Sequence, residues 1–459
     1  MFDLLIVNGV CPDFQNGEMI RADIGIREGK IEFVGQADEM MKAAAAGIID
    51  AEGRIVSPGF IDIHMHEENF AKEGKHYVIS EKMLEMGVTT GVAGQCGNPR
   101  QTLKEFRAVL DENGGSPINY LMLTGYNTYR VKHGVGRYDM PTEEQKKLIH
   151  EDLKKDMEEG AYGLSFGIEY DPGMTLEEML EAVNASCYSP EQMVTAHFRD
   201  DGPRAVAAVN EMIAIADHID QKFQISHLSS CAAVGVMDEC LSVINEAMER
   251  NPKLDYDTYP YHAFSTRVGS AVFDEGCFEK WGKDYSDVLL TNDPYKNMYC
   301  TEEIFRDARE NHPQMFCIAF VMNEPEIEAA IVNKNGMIAS DGVLQNGSGH
   351  PRAAGTFPRV LGKYVREKGA LSMYEALRKM TVLPADRMGL TAKGRLEPGC
   401  DADITIFDPE IICDQEDFLE LKKPLGIEYV IMNGKVVLKD GEIVNGRMGR
   451  YIPFQNTQA

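Results

Sequence analysis

Eight short apolar runs, most of them separated by stretches of helical periodicity, constrain the fold of this 459-residue chain more than any other feature. They occupy residues 59–63, 88–93, 118–123, 163–168, 193–196, 223–226, 254–258 and 336–340. The helical character is explicit after Pro141, where Thr142 and Gln145 stand at capping-box spacing ahead of Leu148, Leu153 and Met157. Strands that alternate with helices argue for a parallel sheet. Eight repeats favour an α/β fold of the (β/α)8 TIM-barrel type over an open doubly wound sheet.

Both chain ends read differently. Residues 4–7, 24–27 and 31–34 are short β-rich runs, the last two joined by a Glu28-Gly29 turn, and residues 403–407 and 429–437 continue the idea at the other end. Residues 430–434 echo the pattern of residues 5–9. The expectation is a small β-sandwich domain built from residues 1–57 and 385–459, around a barrel over residues 58–384. Between the seventh and eighth runs lie about 80 residues, more than a crossover helix needs. An insertion at about 263–312 is expected there. It holds Trp281, the only tryptophan, and reads either as a lid over the barrel mouth or as a structural excursion.

Composition excludes several classes of function. No run approaches the roughly 18 apolar residues of a membrane span, so no membrane partner is expected. Lys and Arg number 46 against 73 Asp and Glu, a net charge of −27 that repels nucleic acid phosphates. The start of the chain lacks the pattern of a signal peptide, which points to the cytoplasm. Ten cysteines without a CxxC spacing suit a reduced compartment, and one of them, Cys96, is placed for chemistry.

That placement comes from the ends of the runs. His64 and His66 close the first run, and alternation in a strand sends both imidazoles to one side. Cys96 lies just past the second run, His197 ends the fifth, His227 ends the sixth and Asp341 ends the last. Imidazole and thiolate donors converging on one rim, with a carboxylate beside them, suit zinc.

These residues carry a resemblance. Residues 56–66, Val-Ser-Pro-Gly-Phe-Ile-Asp-Ile-His-Met-His, resemble the amidohydrolase superfamily signature. Further segments are similar to the D-aminoacylase (N-acyl-D-amino-acid deacylase) branch: Gln95-Cys96-Gly97, residues 195–200 around His197, Ile225-Ser226-His227-Leu228, Tyr259-Pro260-Tyr261, and His350-Pro351-Arg352 leading to Gly355-Thr356-Phe357-Pro358-Arg359. The resemblance covers nearly the whole chain. It implies one tightly bound Zn2+ on Cys96, His197 and His227, with His64 and His66 able to hold a second, weaker ion beside it.

The implied activity is hydrolysis of the amide of an N-acyl amino acid, a small-molecule substrate of D configuration. Zinc brings a bound water towards a pKa of about 7, which permits attack on an amide carbonyl that the metal polarises. Asp341 is then the catalytic proton acceptor, passing the proton to the departing nitrogen, or a plain metal ligand. Arg352 would bind the substrate carboxylate bidentately, as similar enzymes use the arginine of this element, or else form a structural ion pair; Tyr259 and Tyr261 are candidate supporting substrate-binding groups, one of which reads equally as packing. A lysine bridge, usual in dihydropyrimidinase-like relatives, has no counterpart in residues 163–168. Glu169 follows that run within reach of a metal but reads rather as a solvent-facing or hydrogen-bonded group, and Glu67 and Glu68 read as loop or supporting residues. Ser229 stands where many members carry a second substrate-binding lysine, so preference for an acidic side chain is in doubt unless Arg267 or Arg199 compensates. The alternatives are a hydrolase of cyclic amides or ureides and, less favoured, a catalytically silent scaffold.

Overall fold

Parallel strands covered on both faces are buried along nearly their whole length, and the central strands of this protein are, although several carry a polar residue among the apolar ones. The computed structural model describes residues 1–455. Phe60–Asp62, Val88–Ala93 and Asn119–Met122 pair in parallel order, and every residue in them is buried. The same chain run continues as Thr124–Gly125 and joins Gly163–Gly167, Met193–His197, Lys222–Ile225, Leu254–Thr258 and Met337–Ile338, again all in parallel. The eight apolar runs of the sequence are therefore eight strands in sequential order.

The first and last strands also meet. Met65 pairs in parallel with Gly342, the Asp341 amide donates to the His64 carbonyl at 2.7 Å, and the Ser340 amide donates to Asp62 at 3.0 Å. Helices lie between strands as the periodicity requires. Glu143–Glu158 begins at Thr142 with the expected capping box to Gln145; Thr102 with Glu105 and Thr175 with Glu178 cap two further helices in the same way. Among the described residues no helix is long and apolar enough to cross a membrane.

Where a β-sandwich was expected, the two ends of the chain hydrogen-bond into one nine-stranded sheet. The reason is strand Ile55–Pro58, which pairs with Ile404–Phe407 on one side and reaches Leu4–Asp13 on the other, so that both halves share one ladder. The sheet curls: Ile31 and Gly399–Cys400 exchange backbone hydrogen bonds, closing it around Ile6, Ile24, Ile26, Val56, Ile404 and Ile431. The end of the chain departs from the expected boundary. Residues 449–454 leave this sheet and run beside the third central strand, Tyr451 bridging Tyr120 and the Ile452 amide donating to the Tyr120 carbonyl at 2.9 Å. Phe454 packs edge-on against Tyr162, and this apolar contact holds the tail there.

The insertion has a sheet of its own. Phe264–Arg267, Phe316–Ala319, Val288–Leu290 and Met298–Tyr299 form four antiparallel strands in that spatial order. It extends past residue 312 because Phe316–Ala319 supplies the central strand, buried between its two neighbours. Trp281 packs between Phe264 and Phe273, with ring centroids 5.6 and 5.7 Å away.

The turn from the second strand towards Cys96 leaves no room for a side chain at Gly94. Its φ is +77°, and a Cβ there would fall 2.1 Å from the Leu123 carbonyl oxygen. Gly94→Ala is expected to cost on the order of 2–4 kcal/mol in denaturant unfolding and to lower bound zinc. Wild-type stability with full zinc content would contradict this account of the turn.

Candidate active site

The side chains at the strand ends converge. Cys96 Sγ lies 3.4 Å from His64 Nε2 and 3.5 Å from His227 Nε2, and His66 Nε2 lies 3.2 Å from Asp341 Oδ1. One ligand atom from each of Cys96, His197 and His227 falls within 4.8 Å of the others. The same holds for His64, His66, Cys96 and Asp341, so Cys96 belongs to both groups. All six are buried except His66, which is slightly open.

The backbone explains how residues from separate strands reach one point. Cys96, His227 and Asp341 each adopt a positive φ, +55°, +35° and +49°, just past the strand that carries them. Non-glycine residues rarely occupy this region, and doing so turns the side chain across the strand ends. Supporting groups hold the turns. Glu67 accepts the Gly94 amide at 3.1 Å and also the Arg100 amide, while Glu68 accepts the amides of Val78, Ile79 and Ser80.

Electrostatics favour a metal. Burial raises the Cys96 thiol, but the imidazoles of His64 and His227 outweigh it and hold the group well below its usual range. Burial raises each of the nine other cysteines: Cys231 is pushed up to about 12 and Cys277 to about 11. Cys96 is the one cysteine whose surroundings favour the thiolate. His197 gives its Nε2 to Glu169 and keeps a buried Nδ1 without any hydrogen-bond partner, a costly arrangement that a cation would relieve. One thiolate and two imidazoles make a donor set that fits zinc.

Two residues that orient these donors were missed or underread in the sequence. Asp257 reaches His64 Nδ1 at 3.2 Å and accepts the His227 amide at 2.7 Å, fixing two donors at once. The alternation Leu-Asp-Tyr-Asp-Thr gave no sign of this, since an aspartate at every second position reads as a solvent-facing edge. Glu169 is buried and lies 2.7 Å from His197 Nε2, so it is hydrogen-bonded and not solvent-facing. A carboxylate behind a ligand imidazole sets its tautomer and orientation.

The other expected residues divide. Arg352 and Asp341 line the cavity together with Ser230, Phe264, Ser265 and Val272. Arg352 Nη1 stands 2.9 Å from Asp341 Oδ2, and Arg352 Nε is buried without a partner. Burial raises the Asp341 carboxyl, yet Arg352 and His227 hold it well below the usual carboxylate range. Neither Tyr259 nor Tyr261 lines the cavity. The Tyr259 hydroxyl lies 2.9 Å from Ser230 Oγ and its ring lies under the Arg352 guanidinium at 4.7 Å, while the Tyr261 hydroxyl donates to Asp414 at 3.0 Å. Tyr259 thus stands beneath Arg352, whereas the Tyr261 ring lies under the Arg359 guanidinium at 4.5 Å.

Ser229 is buried against the Tyr259 carbonyl, at 3.2 Å. Arg199 is consumed by Glu211 and by the carbonyls of Pro172 and Met174. Arg267 lies over the Phe316 ring with no ion pair among the described residues.

Residues 55–437 match the Amidohydrolase family. The chain belongs to the amidohydrolase family. It is 30% identical to a D-aminoacylase of Alcaligenes xylosoxydans xylosoxydans, over 98% of this chain and 97% of that one. It is also 30% identical to the N-acyl-D-glutamate deacylase of the same organism, over 95% and 93%. Among solved structures, the N-acyl-D-glutamate deacylase of Bordetella bronchiseptica, complexed with zinc and a phosphonate mimic of the tetrahedral intermediate, matches with a TM-score of 0.86. That likeness comes at 27% identity and covers 98% of this chain and 99% of that one.

Because Cys96 alone is held low, metal-free protein at neutral pH is expected to show one thiolate in ultraviolet absorbance, absent from Cys96→Ala. Equal spectra for the two proteins would contradict the charge balance described for this site.

Proposed function

We propose that this amidohydrolase cuts the linear amide of N-acyl-D-amino acids, using one zinc ion on Cys96, His197 and His227, with a weaker second position at His64 and His66. The single observation that carries the reading is the pairing of a metal-competent thiolate cluster with a buried arginine on one cavity wall. The eight sequential parallel strands, with the first and last in contact, support a (β/α)8 barrel over residues 58–384 whose strand ends form this site. The terminal sheet then forms the second domain, and the insertion serves as a wall and cover for the cavity.

When bound, zinc supplies Lewis-acid polarisation of the amide and water activation at neutral pH. The remaining work falls to the side chains. Arg352 offers its unpartnered Nε to the substrate carboxylate, which a chain of net charge −27 could not otherwise hold. Asp341, kept ionised by Arg352 and His227, takes a proton from the attacking water and returns it to the departing nitrogen. Glu169 and Asp257 hold the imidazoles in register.

A neutral substrate side chain fits the cavity best. Glu169 and Asp201 line it beside Phe264 and Val272 and disfavour a second carboxylate, while neither Ser229 nor Arg267 is among its lining residues. Lys280 is tied to Asp201 and Asp200.

An N-acetyl-D-amino-acid panel on zinc-loaded enzyme is expected to show turnover of D-methionine or D-leucine derivatives ahead of D-glutamate. Absence of turnover across the panel, with zinc confirmed, would overturn the substrate reading. Asp341→Asn is expected to lower kcat by roughly 10²–10⁴-fold while zinc content is retained. Wild-type kcat in that variant would remove Asp341 from the proton path.

A further inference from the structure

His350 opens the element that carries Arg352, and the catalytic reading gives it no task. It is completely buried, and both ring nitrogens are engaged. Nε2 lies 3.0 Å from the Ala263 carbonyl, which can only accept; Nδ1 receives the Arg352 amide at 3.0 Å. These two partners fix a single neutral tautomer, with the proton on Nε2. The surroundings agree. Tyr261 and Phe418 pack edge-on against the imidazole at 5.3 and 5.2 Å, and burial together with Arg352 holds its pKa well below the usual histidine value.

The bond to Ala263 matters because of where that residue stands in the chain. Ala263 is the root of the insertion, and the next three residues, Phe264, Ser265 and Thr266, form part of the cavity wall. Arg352 grips the same segment two residues further on: its Nη2 donates to the Ser265 carbonyl at 3.2 Å. Carbonyls two apart on an extended strand face the same way, so His350 and Arg352 hold one edge of this strand at two successive points. The opposite edge is paired to Phe316–Ala319.

We propose that His350 is a positioning residue that locks the root of the insertion and the Arg352 guanidinium into one unit, so that the substrate anchor and the cavity wall move together. This role rests on the proposed deacylase reading, in which Arg352 is the carboxylate anchor that the clamp places. His350 touches neither substrate nor metal. Its effect passes through Arg352 and Ala263.

Three substitutions separate the parts. His350→Leu keeps an apolar side chain and removes both polar atoms. His350→Asn keeps an acceptor close to Nδ1, and His350→Gln keeps a donor close to Nε2. Backbone hydrogen exchange is read on the full-length zinc protein, and kcat and KM on the best N-acyl substrate.

His350→Leu is expected to speed exchange about tenfold at residues 263–267 and 352–355, leaving the terminal sheet unchanged, and to raise KM about tenfold with kcat within about threefold. Asn is expected to restore KM, and Gln to restore protection at the insertion root. Unchanged exchange and KM in His350→Leu would overturn the proposal, and so would faster exchange throughout the molecule with zinc and kcat lost together. If Leu does not fold, the Asn and Gln variants decide: identical behaviour of the two overturns the proposal. Should the wild-type enzyme turn over no N-acyl amino acid, the substrate reading fails while the exchange experiment still tests the clamp.

Discussion

A buried thiolate has to be surrounded by positive charge, and meeting that requirement organises this active site. Burial acts against the ionised form of Cys96, and His64 and His227 overcome it at 3.4 and 3.5 Å. To bring those imidazoles so close, the chain accepts left-handed backbone at Cys96, His227 and Asp341 and buries carboxylates behind the rings. Such strain persists only where the surrounding structure over-determines it. The strand ends supply that rigidity.

The negative groups around this centre are paired one by one. Asp341 faces Arg352, Glu169 faces His197, and Asp257 faces His64. On the far wall Lys280 and the Trp281 indole bind Asp201, whose carboxyl burial and Glu169 push up to about 7. Lys280 and Trp281 belong to the insertion, whereas Asp201 follows the fifth strand. The insertion is thus fastened over the cavity at Asp201, and again at its root through Ala263 and Ser265. Its apolar filling, Phe264 with Phe273 and Trp281, makes it a packed body with its own sheet and not a loose loop.

Much of this was legible in the sequence. The eight apolar runs became strands within a residue or two, because fully buried parallel strands leave a contiguous signal. The candidate metal ligands stood out because a polar residue ending an apolar run has few structural reasons to be there. What escaped had no such signal. Asp257 sits inside its strand at a position indistinguishable from a solvent-facing one, and Glu169 lies past a strand end like any loop carboxylate. The sequence places Tyr259 and Tyr261 at a strand end but does not show that Arg352 lies over the first and Arg359 over the second. The curl of the terminal sheet and the return of residues 449–454 depend on long-range backbone pairing, which local patterns do not encode.

The central claim is that a cysteine and two histidines from three different strands hold the catalytic ion, and zinc X-ray absorption on enzyme loaded with one equivalent tests it most directly. The account predicts one sulfur in the coordination shell together with imidazole nitrogens, and loss of the sulfur in Cys96→Ala. A shell made of nitrogen and oxygen alone in the wild-type enzyme would contradict it.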